Sequence, residues 1–308
     1  MTAVVFGSLN MDLVSRVPHL PQPGETILGF DFVTTPGGKG ANQAVALAKL
    51  GIPTKMIGRV GGDDFGRSLL TELAAIDIDT QGILVDPETH SGVAMITVAT
   101  TGQNQIIGIF GANGRLDSSD VDRLTSALTD AQYLLLQLEI SLDAVQLAAA
   151  AGKAAGVPVI LDPAPVQTPD LQALYPYIDL LIPNEVEASQ LVGFDVYDVT
   201  TAQQAATQLQ AQGVSQIIVK LGAQGAFCQT QSTACFIPAF TVEAIDTVAC
   251  GDAFAGGLTA GLIAGLPLET AVLWGNAAGA LAATKAGAQI AMPDRATFAA
   301  FLAQHTTG

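Results

Sequence analysis

Short continuous apolar runs alternate along this chain with longer segments whose apolar positions recur at a helical period, most clearly after residue 130. Thr2–Gly7, Tyr133–Leu138, Val157–Leu161, Ile178–Ile182 and Gln216–Lys220 read as strands apolar on both faces. Leu142–Ala155, Glu185–Val192 and Ala202–Gln212 read as helices between them. Strands buried on both faces and separated by helices predict a doubly wound, mostly parallel α/β sheet covered on each side.

The first third breaks this rhythm. Asp12–Thr35 carries Pro18, Pro21, Pro23 and Gly24 among short alternating pieces, and Gly92–Thr100 and Gln105–Phe110 read as two strands around a TGQN turn. These pieces predict a small β-sheet subdomain at about residues 12–36 and 90–111, inserted twice into a single domain spanning residues 1–308. Such sheets often serve as lids. No internal repeat is visible, and the terminal HTTG, residues 305–308, is expected to fray.

Composition narrows the function classes. Hydrophobic residues make up 49% of the 308, enough for a sizeable core. Lys plus Arg number 12 against 28 Asp plus Glu, a formal charge of −16, which disfavours nucleic acid or an anionic membrane as partner. An anionic ligand would therefore need backbone amides, a helix N-terminus and bound cations. The three cysteines (Cys228, Cys235, Cys250) form no CxxC pair, which fits a reducing cytoplasm and predicts neither a disulfide scaffold nor a zinc site. No signal peptide is visible, and the longest uncharged stretch, Ala253–Leu268, is Gly-rich and shorter than the ~20 residues a membrane span needs. His19, His90 and His305 are scattered and read as surface residues; Trp274 reads as core or pocket wall.

Several segments carry candidate chemistry. Residues 36–51 read PGGKGANQAVALAKLG. Gly37 and Gly38 lead into a helix that Gly51 ends, with Lys39 and Asn42 near its start. This is no GxxxxGK[ST] loop. It is either a polar-ligand site or an ordinary glycine turn. Residues 244–258 read AIDTVACGDAFAGGL: a strand ending near Ile245, a turn, then a helix with Phe254, Leu258 and Leu262 on one face. The amides of Ala249, Cys250 and Gly251 are expected to form an anion hole. Asp252 in the first turn is then a proton-accepting base, or else a residue that satisfies free helix amides.

Asn184–Glu187 (NEVE) fits a helix N-cap, or a Mg²⁺–phosphate site reached through water. Lys220–Gly225 (KLGAQG) is a weak nucleotide-loop signal. Asn10, Asp12 and Glu139 fall just beyond strand ends, where open parallel sheets gather ligands, although Asx residues also make plain turns.

Taken in order, GSLNMD, PGET, GGKGANQAVA, IIGIFGAN, LLLQLE, DPAP, PNEVEA, DTVACGD and KAGAQ resemble the ribokinase-like, or PfkB, family of carbohydrate kinases over almost the whole chain. The resemblance implies a central sheet with a β lid, commonly paired in a homodimer, and it implies ATP, Mg²⁺ and activation by K⁺. It implies phosphorylation of D-ribose at O5. The alternatives are another acceptor (fructose, ketodeoxygluconate or a nucleoside) or a sugar or nucleotide sensor without catalysis. By position, Asn10, Asp12, Gly38, Lys39, Asn42 and Glu139 match sugar-binding residues. Asn184, Glu187, Lys220, Gly222, Gly225, Gly251 and Asn276 match nucleotide or Mg²⁺-phosphate positions, and Asp252 the base. Asp246, Val248, Ala282, Lys285 and Gly287 match the monovalent-cation loop. The chain departs from the family pattern at Cys250, where a smaller residue is usual, at Asn276, often His, and at Ala291, often Ser.

Overall fold

Every residue of the first strand, β1 (Thr2–Phe6), is buried, which puts it in the interior of a sheet. The structure is a computed structural model that describes residues 2–305; of the tail expected to fray, residues 306–308 lie outside it, and His305 closes the last helix. After β1 come β2 (Asn10–Val17), β3 (Asp31–Gly37), α1 (Lys39–Lys49), β4 (Thr54–Gly61), α2 (Asp64–Ala74), β5 (Asp79–Asp86), β6 (Gly92–Ala99) and β7 (Asn104–Ile109). The middle holds α3 (Ser118–Ala127), β8 (Ala131–Gln137), α4 (Leu142–Ala154), β9 (Val159–Asp162), β10 (Leu180–Leu181), α5 (Glu185–Val192) and α6 (Val199–Ala211). The chain ends with β11 (Gln216–Lys220), β12 (Gly225–Gln229), β13 (Ala234–Pro238), α7 (Cys250–Ile263), α8 (Leu268–Ala283) and α9 (Arg295–His305).

The main sheet runs β13-β12-β11-β10-β9-β8-β1-β4-β5. It is parallel from β5 to β11 and antiparallel across β12 and β13. Alternate residues of β1 serve two cores. Ala3 and Val5 pack with α1, α7 and α8; Val4 and Phe6 pack with α4 and α6 on the other face. Residues 253–263 of the Gly-rich run lie in α7, packed against α1 and α8, and the rest turns into the start of α8 at Leu268. A Cβ on Gly256 would stand 2.4 Å from that of Ala46, and one on Gly257 would stand 2.6 Å from the Trp274 carbonyl oxygen. Gly256 and Gly257 thus serve close helix packing inside a protein core. Among the described residues no helix is long and apolar enough to cross a membrane.

Residues 10–37 and 92–109 supply a separate sheet, ordered β3-β2-β6-β7. It is antiparallel except between β2 and β6. The strand expected to end near Ile245 is absent. Residues 239–249 run irregularly from β13 to α7, and the Ile245 and Asp246 amides donate to Ala283 O at the end of α8 rather than to a neighbouring strand. β10 is shorter than its apolar run, because Ile178 belongs to the turn after residues 175–177 and Ile182 leads into the α5 cap. Cys228 and Cys235 face each other across β12 and β13 as free thiols.

Candidate active site

Parallel strands end together, so the residues just past β1, β8, β9 and β11 meet at one edge of the main sheet. There the N-termini of α1 and α7 converge on a cleft of about 600 Å³, lined among others by Lys39, Asp162, Glu187, Lys220, Gly251 and Asp252. That volume suits a small-molecule ligand.

One end is built by side chains. Glu139 Oε2 accepts from Ser8 Oγ at 2.6 Å, from the Lys39 amide at 2.9 Å and from Asn10 Nδ2 at 3.4 Å. Asn10 Oδ1 accepts from Asn113 Nδ2 at 2.7 Å, and Asn113 also bonds the backbone N–H and carbonyl of Leu9. The start of α1 can approach this cluster only because residue 38 is glycine. Gly38 has φ +88°, and a Cβ there would lie 2.7 Å from the Asn10 amide nitrogen. Asp12 enters from β2, and burial, then Glu139 and Asp252, push its carboxyl up to about 7.

Lys39 donates no hydrogen bond from its ammonium to any described residue. Burial disfavours its charge, but Asp252, Asp162, Glu139 and Glu187 outweigh burial and hold it firmly protonated, above the usual lysine range. Asn42 donates from Nδ2 to Asp252 Oδ2 at 3.0 Å, while its buried Oδ1 has no partner.

Asp252, 2% exposed, lines the cleft. Its Oδ1 accepts from Gln43 Nε2 at 3.2 Å. Burial raises its pKa, Lys39 and the Asn42 hydrogen bond oppose the rise, and Asp162 and Glu139 add to it. The N-cap of α7 is Ala249, whose φ of +56° is left-handed and unusual for a residue with a Cβ. Of the three amides expected to form an anion hole, that of Cys250 donates to Thr247 O at 3.3 Å. The Cys250 sulfur turns back to the Asp246 carbonyl, 3.8 Å away, and burial, then Asp246 and Asp252, push its thiol up to about 11.

The other end relies on backbone and glycine. Gly222, with φ +52°, and Gly225, with φ +132°, shape the β11–β12 turn. Lys220 Nζ donates to Asp162 Oδ1 at 2.9 Å and stands 3.5 Å from where a Gly251 Cβ would be. Asn184 and Glu187 form the capping box of α5, with Glu187 Oε2 and Oε1 accepting from the Asn184 amide and side chain. Asn276 donates to the carbonyls of Ile237 and Pro238, tying α8 to β13 beside the cleft.

Beyond α7, Asp246 accepts from the Val248 and Gly287 amides at 3.0 and 2.9 Å. Ala282 O accepts from the Lys285 amide at 3.2 Å. The five positions matched to the cation loop are therefore neighbours. No group of three or more His, Cys, Asp or Glu among the described residues is arranged to hold a metal. A divalent cation at Glu187 would have to be shared with phosphate and water, as Mg²⁺ usually is.

Ser8, Gln43, Asn113, Gln137 and Asp162 did not stand out from the sequence. Gln43, Gln137 and Asp162 carried one signal, a polar residue in or at the end of an otherwise apolar element.

The pfkB family carbohydrate kinase model matches residues 2–295. Ribokinase of Haemophilus influenzae is 38% identical over 301 residues, covering 98% of both chains. Deoxyribokinase of Salmonella typhi is 40% identical over 259 residues, 83% of this chain and 84% of that one. The structure of Arabidopsis thaliana ribokinase complexed with ribose and ATP superposes with a TM-score of 0.89 at 33% identity, covering 97% of this chain and 98% of that one.

Proposed function

The chain belongs to the pfkB family of carbohydrate kinases, and from that premise we propose that it transfers the γ-phosphate of ATP to O5 of D-ribose, giving ribose 5-phosphate and ADP. The carrying observation is Asp252: a buried carboxylate lining the cleft, in the first turn of α7, bonded to Asn42 of α1. On this reading Asn10, Asp12, Lys39, Asn42 and Glu139 hold the sugar hydroxyls, and Gly38 admits them. Ala249, Cys250 and Gly251 turn the positive end of α7 toward the transferring phosphate. Asn184, Lys220, Gly222, Gly225 and Asn276 hold the nucleotide.

Asp252 accepts the O5 proton as O5 bonds to the γ-phosphorus, and the bond to the β–γ bridging oxygen breaks, leaving its electron pair on ADP. Charge develops on the phosphoryl oxygens, so the remaining work is positioning and electrostatics. Lys39 and Lys220 supply positive charge beside the α7 N-terminus, which answers how so acidic a chain holds a triphosphate. Mg²⁺, held through water by Glu187 with the phosphates, would neutralise phosphate charge. K⁺, held by Asp246 and the carbonyls of Val248, Ala282, Lys285 and Gly287, would fix the loop before α7.

The second sheet acts as the lid. Leu28, Phe30, Phe32, Met95, Ile106 and Ile107 are exposed on or beside it, Ile107 by 61%, which supports pairing with the lid of a second copy in a homodimer. Three free thiols and dependence on ATP fit the cytoplasm.

A second reading, 2-deoxyribose as acceptor, is favoured by the identity to deoxyribokinase. A panel of pentoses, hexoses and nucleosides assayed for ATP-dependent phosphorylation, with and without K⁺, decides between them. Preference for ribose is expected, and a clear preference for a nucleoside or for 2-deoxyribose would overturn the primary reading.

A further inference from the structure

Two buried glutamines sit behind the cleft without lining it. Gln43 is 1% exposed and Gln137 0%. Gln137 Nε2 donates to Gln43 Oε1 at 2.7 Å. With its carbonyl oxygen so engaged, Gln43 turns its Nε2 the other way. It donates to Asp162 Oδ2 at 3.0 Å and to Asp252 Oδ1 at 3.2 Å. Gln137 Oε1 packs over Gly7, where a Cβ would be 2.0 Å away, and is buried without a hydrogen-bond partner, so the bond from Nε2 to Gln43 is what sets the orientation of the pair. Lys220 closes the far side on Asp162 Oδ1.

An amide that spends its NH₂ on two carboxylates requires an acceptor at each of those oxygens. It therefore favours ionised Asp252 and fixes the plane of its carboxylate, while Asn42 holds the other oxygen.

We propose that Gln43, locked in one orientation by Gln137, is a positioning residue for the base, holding the Asp252 carboxylate in place and tying it to the Asp162–Lys220 pair. The inference rests on the reading of Asp252 as the base. Asp252 faces Lys39 of α1, Asp12 of β2, Glu139 after β8, Asp162 of β9 and Cys250 of its own helix. Lys220 of β11 and Glu187 of α5 stand beyond, beside Asp162. Losing the Gln43 donor removes a bond to the ionised form, so the acid limb must move to higher pH.

The test is the pH profile of kcat for the full chain, at saturating ribose and ATP. Gln43→Leu is expected to lower kcat about tenfold at neutral pH, the value of one hydrogen bond to a charged group. Its acid limb should rise by about one unit, with KM for ribose within about threefold. Gln137→Leu should shift the limb the same way by less, because Gln137 reaches Asp252 only through Gln43. Asp162→Asn should shift it downward, having removed a negative neighbour.

An unmoved acid limb in Gln43→Leu, with kcat and thermal midpoint falling together, would show a purely structural amide and overturn the proposal. If that variant fails to fold, Gln137→Leu decides: an upward shift supports it and an unmoved limb overturns it. Near-normal turnover in Asp252→Asn would instead sink the base itself.

Discussion

Two regions of this protein bury charge, and they do so in opposite ways. Between β4 and α3, Arg59 is 8% exposed and Asp120 fully buried. Arg59 Nε donates to both Asp120 oxygens at 3.0 and 2.9 Å, and its Nη2 pairs with Asp117 at 3.1 Å. Arg123 also pairs with Asp120, and Arg115 holds Asp86. At the cleft, two lysines (Lys39, Lys220) stand among five carboxylates: Asp12, Glu139, Asp162, Glu187 and Asp252. The Lys39 ammonium and Asn42 Oδ1 make no hydrogen bond with described residues, and Asp12 is pushed toward neutrality. A cluster whose charges are matched inside the fold offsets its own desolvation, and removing one partner is what costs stability. A cluster left unmatched is a cost to the fold, and its missing partners belong to ligands.

The sharpest way to break this contrast is Asp252→Asn. It is expected to keep the fold and to lower kcat by ~10²–10⁴-fold, read in a coupled ATP assay with ribose. Turnover within a few-fold of wild type would place the base elsewhere.

Arg59→Met is the reverse experiment. Stripping Asp120 of its main partner should cost about 3–5 kcal/mol in urea unfolding, with turnover of the folded fraction unchanged. Equal loss of activity in native conditions would mean that this cluster also serves the site.

Ribose against 2-deoxyribose tests whether the unmatched groups await hydroxyls. One missing hydroxyl should lower kcat/KM about tenfold or more. Equal rates would show that the sugar end does not read the 2-position.

The smallest expected effect is on stability without ligand. The Asp12 carboxyl rises from 3.8 to about 7 on folding. Below pH 4 both states hold the proton, so the group contributes nothing. Between pH 4 and 7 the unfolded chain loses it first, and folding grows less favourable as pH rises; above 7 the penalty is complete. Asp12→Asn should therefore raise the thermal midpoint by a few degrees above pH 7 and leave it unchanged near pH 4. A gain independent of pH would place the effect in packing rather than in charge.

Much of this was legible along the chain because it is local. The apolar runs at 2–7, 133–138 and 216–220 became strands of the main sheet, and Gly51 ends α1 with φ +85° as a C′ glycine should. Asn10, Asp12 and Glu139 follow apolar runs, but periodicity left plain turns open for them; the structure puts Asn10 and Asp12 in β2 beside Glu139, which follows β8. The segment before α7 misled: Ala244–Ile245 has strand composition, but the main sheet ends at β13, so its amides turn to the end of α8 instead. Ser8 and Asn113 were silent because their partners lie 104 to 131 residues away.

By itself the sequence determined the alternation of buried strands and helices, the twice-interrupted β segment and the residues at strand ends, since each follows from period, turn chemistry or a run of apolar side chains. Only the tertiary structure decided which charges are matched. That depends on how closely α1, α7, β9 and β11 approach, and burial makes a carboxylate's state the sum of neighbours contributed by every one of them.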